Sequence, residues 1–334
     1  MKRLGLVFLC LLQLSCSSQT EEKINGVSFV GSREKVTQEH VDPVVAVNAN
    51  YAAVMPFGFL RTLSSPKVIF NTDRQWYGET KKGAKQYIEI LQANGVKIML
   101  KPQIWVWRGE FTGDIAMQSE EDWKTFEQTY SDFILTYAQL AQDTGAEIYC
   151  IGTELEEFVK HRPDYWKALV QEVKKIYQGQ LTYAANWDEY PRTPFWKEMD
   201  FVGVDAYFPL CEEQYPTTAK LTSGWQKWKT KLEALATKVE KPILFTEFGY
   251  RSMDFTAKKP WLVDQNQMDV NLKAQADALA VLFEEFWEED WFAGGFVWKW
   301  FIHHSRSGGA GDNRFTPQNK PAEDVIRRHY GGLR

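Results

Sequence analysis

Apolar residues fall into eight short runs, separated by longer stretches in which apolar positions recur at helical spacing. The runs cover residues 24–31 (INGVSFVG), 51–60 (YAAVMPFGFL), 96–107 (VKIMLKPQIWVW), 147–155 (EIYCIGTEL), 180–187 (QLTYAANW), 201–208 (FVGVDAYF), 242–250 (PILFTEFGY) and 292–301 (FAGGFVWKWF). Their β-branched and aromatic content predicts strands. Most are apolar on both faces, as strands are between an inner core and an outer layer of helices. Between them, residues 82–94, 119–144, 164–177, 225–239 and 270–288 read as amphipathic helices. The first stops at Asn94-Gly95. The second opens with Ser119 before three acids, a cap with a negative first turn, and closes at Gly145. Strand–helix alternation repeated eight times, with no Gly-rich phosphate loop, predicts an α/β fold of one (β/α)8 TIM barrel rather than an open doubly wound sheet. Residues 24–334 carry no linker or low-complexity stretch and read as one catalytic domain.

The N-terminus breaks the pattern. Met1-Lys2-Arg3 is basic and residues 4–14 are apolar, a run too short to span a membrane. Residues 1–15 therefore read as a signal peptide. Cys16, directly after Ser15, resembles a bacterial lipoprotein box, with Gln13 departing from the usual aliphatic residue. The expectation is a lipidated Cys16, a polar tether over 16–23, and an exported bacterial lipoprotein, periplasmic or on the cell surface. It would meet the membrane only through that lipid anchor. Beyond this segment only Cys150 and Cys211 remain, too few for a disulfide framework, and Cys150 reads as a small core hydrophobe.

Composition narrows the chemistry. The 334-residue chain has a formal net charge of −5, which argues against a nucleic-acid partner. Aromatic residues make up 15% of it, with 14 Trp. Such side chains either fill a core or stack on the C–H faces of sugar rings. His303-His304 lacks metal-ligand spacing, because neighbouring side chains point apart. No Gly-x-Ser-x-Gly or Walker-type motif is present. No metal and no cofactor is expected.

In such a barrel the active site lies at the C-terminal ends of the strands. Glu154 ends the fourth run and Glu247 the seventh. Alternation puts Cys150, Gly152 and Glu154 on one face, and Ile243, Phe245 and Glu247 on one face, so each glutamate is the last inward position of its strand. One such glutamate reads as a rim residue or ion-pair partner. Two, three strands apart, read as a working pair. Lys101, Gln103 and Trp105 share a parity on the third run. The first two suit hydroxyl contacts, or for Lys101 a buried ion pair with Asp205, and Trp105 suits ring stacking. Tyr207 ends the sixth run, as a donor to Glu247 or a rim aromatic. Asn186 and Trp187 end the fifth, and either faces the cleft. Trp298 and Trp300 share a parity on the eighth. Trp298 suits the floor of a sugar subsite, or one of the two belongs to the core. Arg61 suits a hydroxyl or a carboxylate. Glu156 and Glu157 read as solvated, and residues 305–311 as a loop long enough to move.

Acids at the fourth and seventh strands resemble the clan of retaining (β/α)8 glycoside hydrolases, the 4/7 superfamily. Within it the chain resembles glycoside hydrolase family 113, the endo-β-1,4-mannanases, over residues 25–330. The likeness rests on Lys101-Pro102-Gln103-Ile104-Trp105, Ile151-Gly152-Thr153-Glu154-Leu155, Gly203-Val204-Asp205-Ala206-Tyr207 and Phe245-Thr246-Glu247-Phe248-Gly249-Tyr250. It implies that Glu154 is the acid/base, Glu247 the nucleophile and Tyr207 its donor. It also implies a double displacement on β-mannan or manno-oligosaccharides between carboxyls about 5–5.5 Å apart. Thr153 stands where the wider clan has Asn, so its 2-hydroxyl contact is not carried over. The alternatives are a retaining glycosidase for another β-glycan or short oligosaccharides, and a non-catalytic sugar-binding lipoprotein on this scaffold.

Overall fold

The structure, a computed structural model, describes residues 22–262 and 269–332. The expected signal peptide and Cys16 lie outside the described residues. The strands are β1 Ile24–Phe29, β2 Tyr51–Val54, β3 Phe57–Leu60, β4 Lys97–Leu100 and β5 Gln103–Val106, then β6 Ile148–Thr153, β7 Gln180–Asn186, β8 Val202–Asp205, β9 Ile243–Phe248 and β10 Phe292–Trp300. Eight close into a parallel barrel in the order β1-β10-β9-β8-β7-β6-β4-β2, as the strand pattern predicts. β3 and β5 form a separate parallel pair.

That pair explains why two predicted runs are longer than a barrel strand. Each breaks at a proline, Pro56 or Pro102, which has no N–H for the ladder. The register survives the break. Val54 sits opposite Leu100 and Phe57 opposite Gln103, and the Gln103 amide donates to the Pro56 carbonyl at 2.9 Å. The two strands thus continue past the barrel and carry Gln103 and Trp105 beyond its end.

The strands are apolar on both faces because there are two cores. Ile24, Tyr51, Met99, Ile148, Leu244 and Phe296 belong to the smaller cluster, which fills the barrel. Gly26 makes room for it, since a Cβ there would lie 2.3 Å from the Phe296 ring. The larger cluster lies between strands and helices and takes up much of the aromatic content, including the fully buried Trp166, Trp225 and Trp300.

The helices are α1 Gln38–Ala46, α2 Lys81–Ala93, α3 Glu120–Thr144, α4 Glu156–His161, α5 Pro163–Ile176, α6 Thr218–Val239, α7 Leu272–Phe286 and α8 Pro321–Tyr330. On α3, the Ser119 hydroxyl accepts the Asp122 amide at 3.1 Å and Gly145 closes in the left-handed region at φ 64°. α6 begins seven residues before its expected start, at a Thr217 cap, because its first turn is polar and hides the periodicity. α1 contains Pro43 and carries no clear helical signal; burial of Val41 and Val44 holds it. The alternation is incomplete in one place. β7 and β8 are joined by a loop whose one helical element is the 3-10 turn Trp196–Glu198.

Among the described residues no helix is long and apolar enough to cross a membrane. Cys150 and Cys211 are both free thiols. The 305–311 loop is tied down rather than loose. Asn319 donates to the carbonyls of His304 and Ser307, and Lys320 pairs with Asp312 at 2.8 Å.

Candidate active site

Strict alternation does not bring either glutamate to the barrel mouth; irregular backbone does. On β9, Leu244 is in the inner cluster while Ile243 and Phe245 are in the outer one. Continued alternation would send Glu247 outward with them, contrary to the face assigned from sequence. The register slips on both sides of this point, between Val204 and Asp205 on β8 and between Gly295 and Val297 on β10. The extra residue turns both Thr246 and Glu247 to the inside, the effect of a β-bulge. On β6 the register slips between Cys150 and Thr153. Cys150 faces inward, but a Cβ on Gly152 would point at Tyr130, Trp166 and Tyr183 of the outer layer. Glu154 follows with φ 49°, in the left-handed region.

Glu247, 6% exposed, is surrounded by donors. Its Oε1 accepts Lys101 Nζ at 2.5 Å and Gln103 Nε2 at 2.9 Å, and its Oε2 accepts the Tyr207 hydroxyl at 2.8 Å. Lys101 is fully buried and also reaches both oxygens of Asp205, at 3.1 and 3.3 Å. The predicted Lys101–Asp205 pair and the predicted reach of Tyr207 to Glu247 are therefore parts of one network. Asp205, the expected ion-pair partner of Lys101, sits at the centre, with Thr246 donating to its Oδ1 at 2.8 Å.

Two carboxyls share one ammonium, and Glu154 lies near enough to feel all three charges, so the cluster disfavours full ionisation. Burial disfavours the charge on Lys101, but Asp205 and Glu247 outweigh it and hold the ammonium charged above its ordinary range. Burial, then Glu247, pushes Asp205 up to about 7, with Lys101 opposing. Glu154 is half-buried and makes no side-chain hydrogen bond or ion pair to another described residue. Burial, then Asp205 and Glu247, raises its carboxyl well above the usual carboxylate range. These surroundings favour its protonated form.

The remaining predicted residues spread around the mouth. Trp105 is 49% exposed on β5. Asn186 is half-buried, and its side-chain oxygen accepts the Trp187 amide at 2.8 Å. Trp187 stacks on Trp261 at 4.9 Å and packs against the outer core, so that ring face is occupied. Trp298 is partly exposed, whereas Trp300 is buried in the outer core, and a register slip between Val27 and Phe29 separates their faces. Arg61 is exposed. Glu156 and Glu157 begin α4 and pair with Arg192 and Lys160. Two residues escaped the sequence reading. Glu189 is buried behind Asn186, and half-buried Lys299 lies near enough to feel the Glu247 charge. Glu189 sits in a loop sequence, WDEY, that gives no sign of burial. A separate open cavity of about 990 Å³, lined by Arg33, Trp76 and Lys82 among others, contains none of these carboxyls.

The model for Glycoside Hydrolase Family 113 matches residues 30–320. Among solved structures, the GH113 β-mannanase from Alicyclobacillus acidocaldarius in complex with ManMIm has a TM-score of 0.80 and 24% identity, covering 93% of this chain and 98% of that one. A GH113 β-1,4-mannanase gives 0.80 at 23%, covering 93% and 99%. The β-glucuronidase of Faecalibacterium prausnitzii gives 0.62 at 15%, with 93% of this chain covering 49% of that one. No curated protein matches.

Proposed function

Since the chain belongs to glycoside hydrolase family 113 and is thereby a glycoside hydrolase, we propose that it is an endo-β-1,4-mannanase that cleaves β-mannan and manno-oligosaccharides with retention. One observation carries the reading. A carboxyl with three converging donors, Glu247, shares the barrel mouth with a carboxyl whose protonated form burial favours, Glu154. Environments that separate two carboxyls in this way assign acid and base roles.

In the first step Glu247 attacks the anomeric carbon. The bond to the leaving oxygen breaks, its electron pair stays on that oxygen, and Glu154 supplies the proton. In the second step water attacks the same carbon and gives its proton to Glu154. The glycosyl ester bond breaks and Glu247 recovers its carboxylate. Lys101, Gln103 and Tyr207 orient Glu247, and Oε2, with one donor against two on Oε1, is the less engaged oxygen. Trp105 and Trp298 offer partly exposed rings for stacking, and Asn186 lies beside Asp205 on the adjacent strand. The mannanase names of the similar structures favour mannan among the β-glycans.

A soluble form beginning at Glu21, incubated with β-mannan, glucomannan, xylan, cellulose and mixed-linkage glucan, tests this. The expected products are manno-oligosaccharides released first as the β-anomer, seen by proton NMR. Glu247→Ala should lose at least about 10³-fold in rate and still bind glycan. First release of the α-anomer would overturn retention. Turnover confined to another glycan would overturn the substrate, and undiminished turnover in Glu247→Ala would overturn the nucleophile.

A further inference from the structure

Glu189 is 2% exposed, and among the described residues no cation pairs with it. A buried carboxyl without a counter-ion is costly, so its partners matter. Its Oε1 accepts the Tyr183 hydroxyl at 2.7 Å and its Oε2 accepts the Asn186 amide at 3.0 Å. The Tyr183 oxygen in turn accepts the Leu155 amide at 2.7 Å. Leu155 directly follows Glu154, whose own amide donates to the Ala184 carbonyl at 2.8 Å. The peptide groups on both sides of Glu154 are therefore anchored to β7 and the loop that follows it.

Glu154 needs such anchoring. At φ 49° it occupies a region that a non-glycine residue adopts only when its surroundings impose it. Its side chain has no hydrogen-bond partner among the described residues, so hydrogen bonds steer the carboxyl only through the peptide groups on either side of it. Tyr183 is itself locked edge-on against Trp166 at 5.5 Å and Phe195 at 5.4 Å.

We propose that Glu189 and Tyr183 are positioning residues that act through the Leu155 amide to aim the Glu154 carboxyl at the leaving oxygen. Glu189 does so as a neutral acid: burial, opposed by the Tyr183 and Asn186 bonds, pushes it up to about 8. It thus adds no charge beside Glu154 at neutral pH. The inference rests on Glu154 being the acid/base.

The test compares two substrates. A manno-oligosaccharide has a poor leaving group that needs the acid. A 2,4-dinitrophenyl β-mannobioside has a leaving group that departs unprotonated. Glu154→Ala should lose kcat/KM on the first and keep it on the second; the absence of that split would overturn the acid/base reading itself. Given the split, Tyr183→Phe and Glu189→Ala should repeat it in milder form. We expect about 10–100-fold lower kcat on the oligosaccharide, the scale of a misplaced catalytic group, with KM within about 3-fold. On the activated substrate kcat/KM, which reports only the first step, should be unaffected. Glu189→Gln keeps the shape of the neutral acid, with its oxygen accepting the Asn186 amide and its NH2 standing in place of the acid O–H beside the Tyr183 hydroxyl, and should stay near wild type. Tyr183→Phe keeps the packed ring and serves if Glu189→Ala does not fold. Equal losses of kcat/KM on both substrates, or none on either, would overturn the positioning role.

Discussion

At the scale of single residues the site is governed by where charge is buried. Lys101 is the cation shared by Asp205 and Glu247. Replacing it with Met leaves two carboxyls facing each other without a counter-ion. Breaking a buried pair in this way costs about 3–5 kcal/mol. Lys101→Met should therefore lower the urea midpoint markedly and abolish turnover, with part of the lost stability returning as pH falls from 8 to 5. An unchanged midpoint would contradict this assignment. Glu189 gives a prediction of opposite sign. Its folded pKa is raised to about 8, so it keeps a proton that the unfolded chain releases. Its contribution to stability is complete below the ordinary carboxyl range and is lost as pH rises through about 8. Glu189→Gln has no proton to lose, so its stability relative to wild type should improve from pH 5 to about pH 8 and then level off. Urea midpoints at three pH values decide the matter, and a constant difference would rule the effect out. Glu156, Asp205 and Tyr183 face the same carboxyl; Glu156 and Asp205 push in the raising direction while the Tyr183 hydrogen bond lowers it.

At the scale of elements, departures from regularity do the functional work. Regular β6 and β9 would present Glu154 and Glu247 differently; the register slips bring them to the mouth. Gly152 is part of that device. A Cβ there would meet the Tyr130 hydroxyl at 2.8 Å and the Trp166 ring at 2.9 Å. Gly152→Ala should destabilise by about 1–3 kcal/mol through overpacking. Because it displaces the residues before Glu154, its kcat should fall more than its KM changes. Steady-state kinetics beside thermal melting would show this. Regular elements behave otherwise. Ser119→Ala removes the α3 cap, far along the chain from the carboxyls, and should cost about 1 kcal/mol with kcat unchanged. A loss of activity at constant stability would contradict that separation.

At the scale of the whole molecule, the barrel brings together residues that no local pattern links. Lys101 and Glu247 are 146 positions apart. The closure is completed by the C-terminal helix, where the Tyr330 hydroxyl on α8 donates to the Gly26 carbonyl at 2.8 Å. Attachment to a membrane is a separate property. We propose that the exported chain is anchored through a lipid on Cys16, with residues 16–23 as tether. Expressed in a bacterium, the full chain should partition with membranes and take up radiolabelled palmitate. Cys16→Ala should remain soluble after export with its activity intact. Label retained in that variant would place the anchor elsewhere.

The sequence by itself determined the barrel, because strands buried on both faces and separated by amphipathic helices have few ways to satisfy both patterns. It also marked Glu154, Glu247, Lys101, Gln103 and Tyr207 as candidates by their places near strand ends, although alternation gave the wrong face to the strand that carries Glu247. Some local elements stayed hidden, since α1 carries Pro43 and the first turn of α6 is polar. The tertiary structure decided how the glutamates face inward, because a bulge is a relation between neighbouring strands and leaves no period in either one. It also separated Trp298 from Trp300, covered Trp187 with Trp261, and buried Glu189 under Tyr183. Each of these depends on contacts between distant segments, and the charge state of a carboxyl depends on the same contacts, since burial and neighbours set its proton affinity.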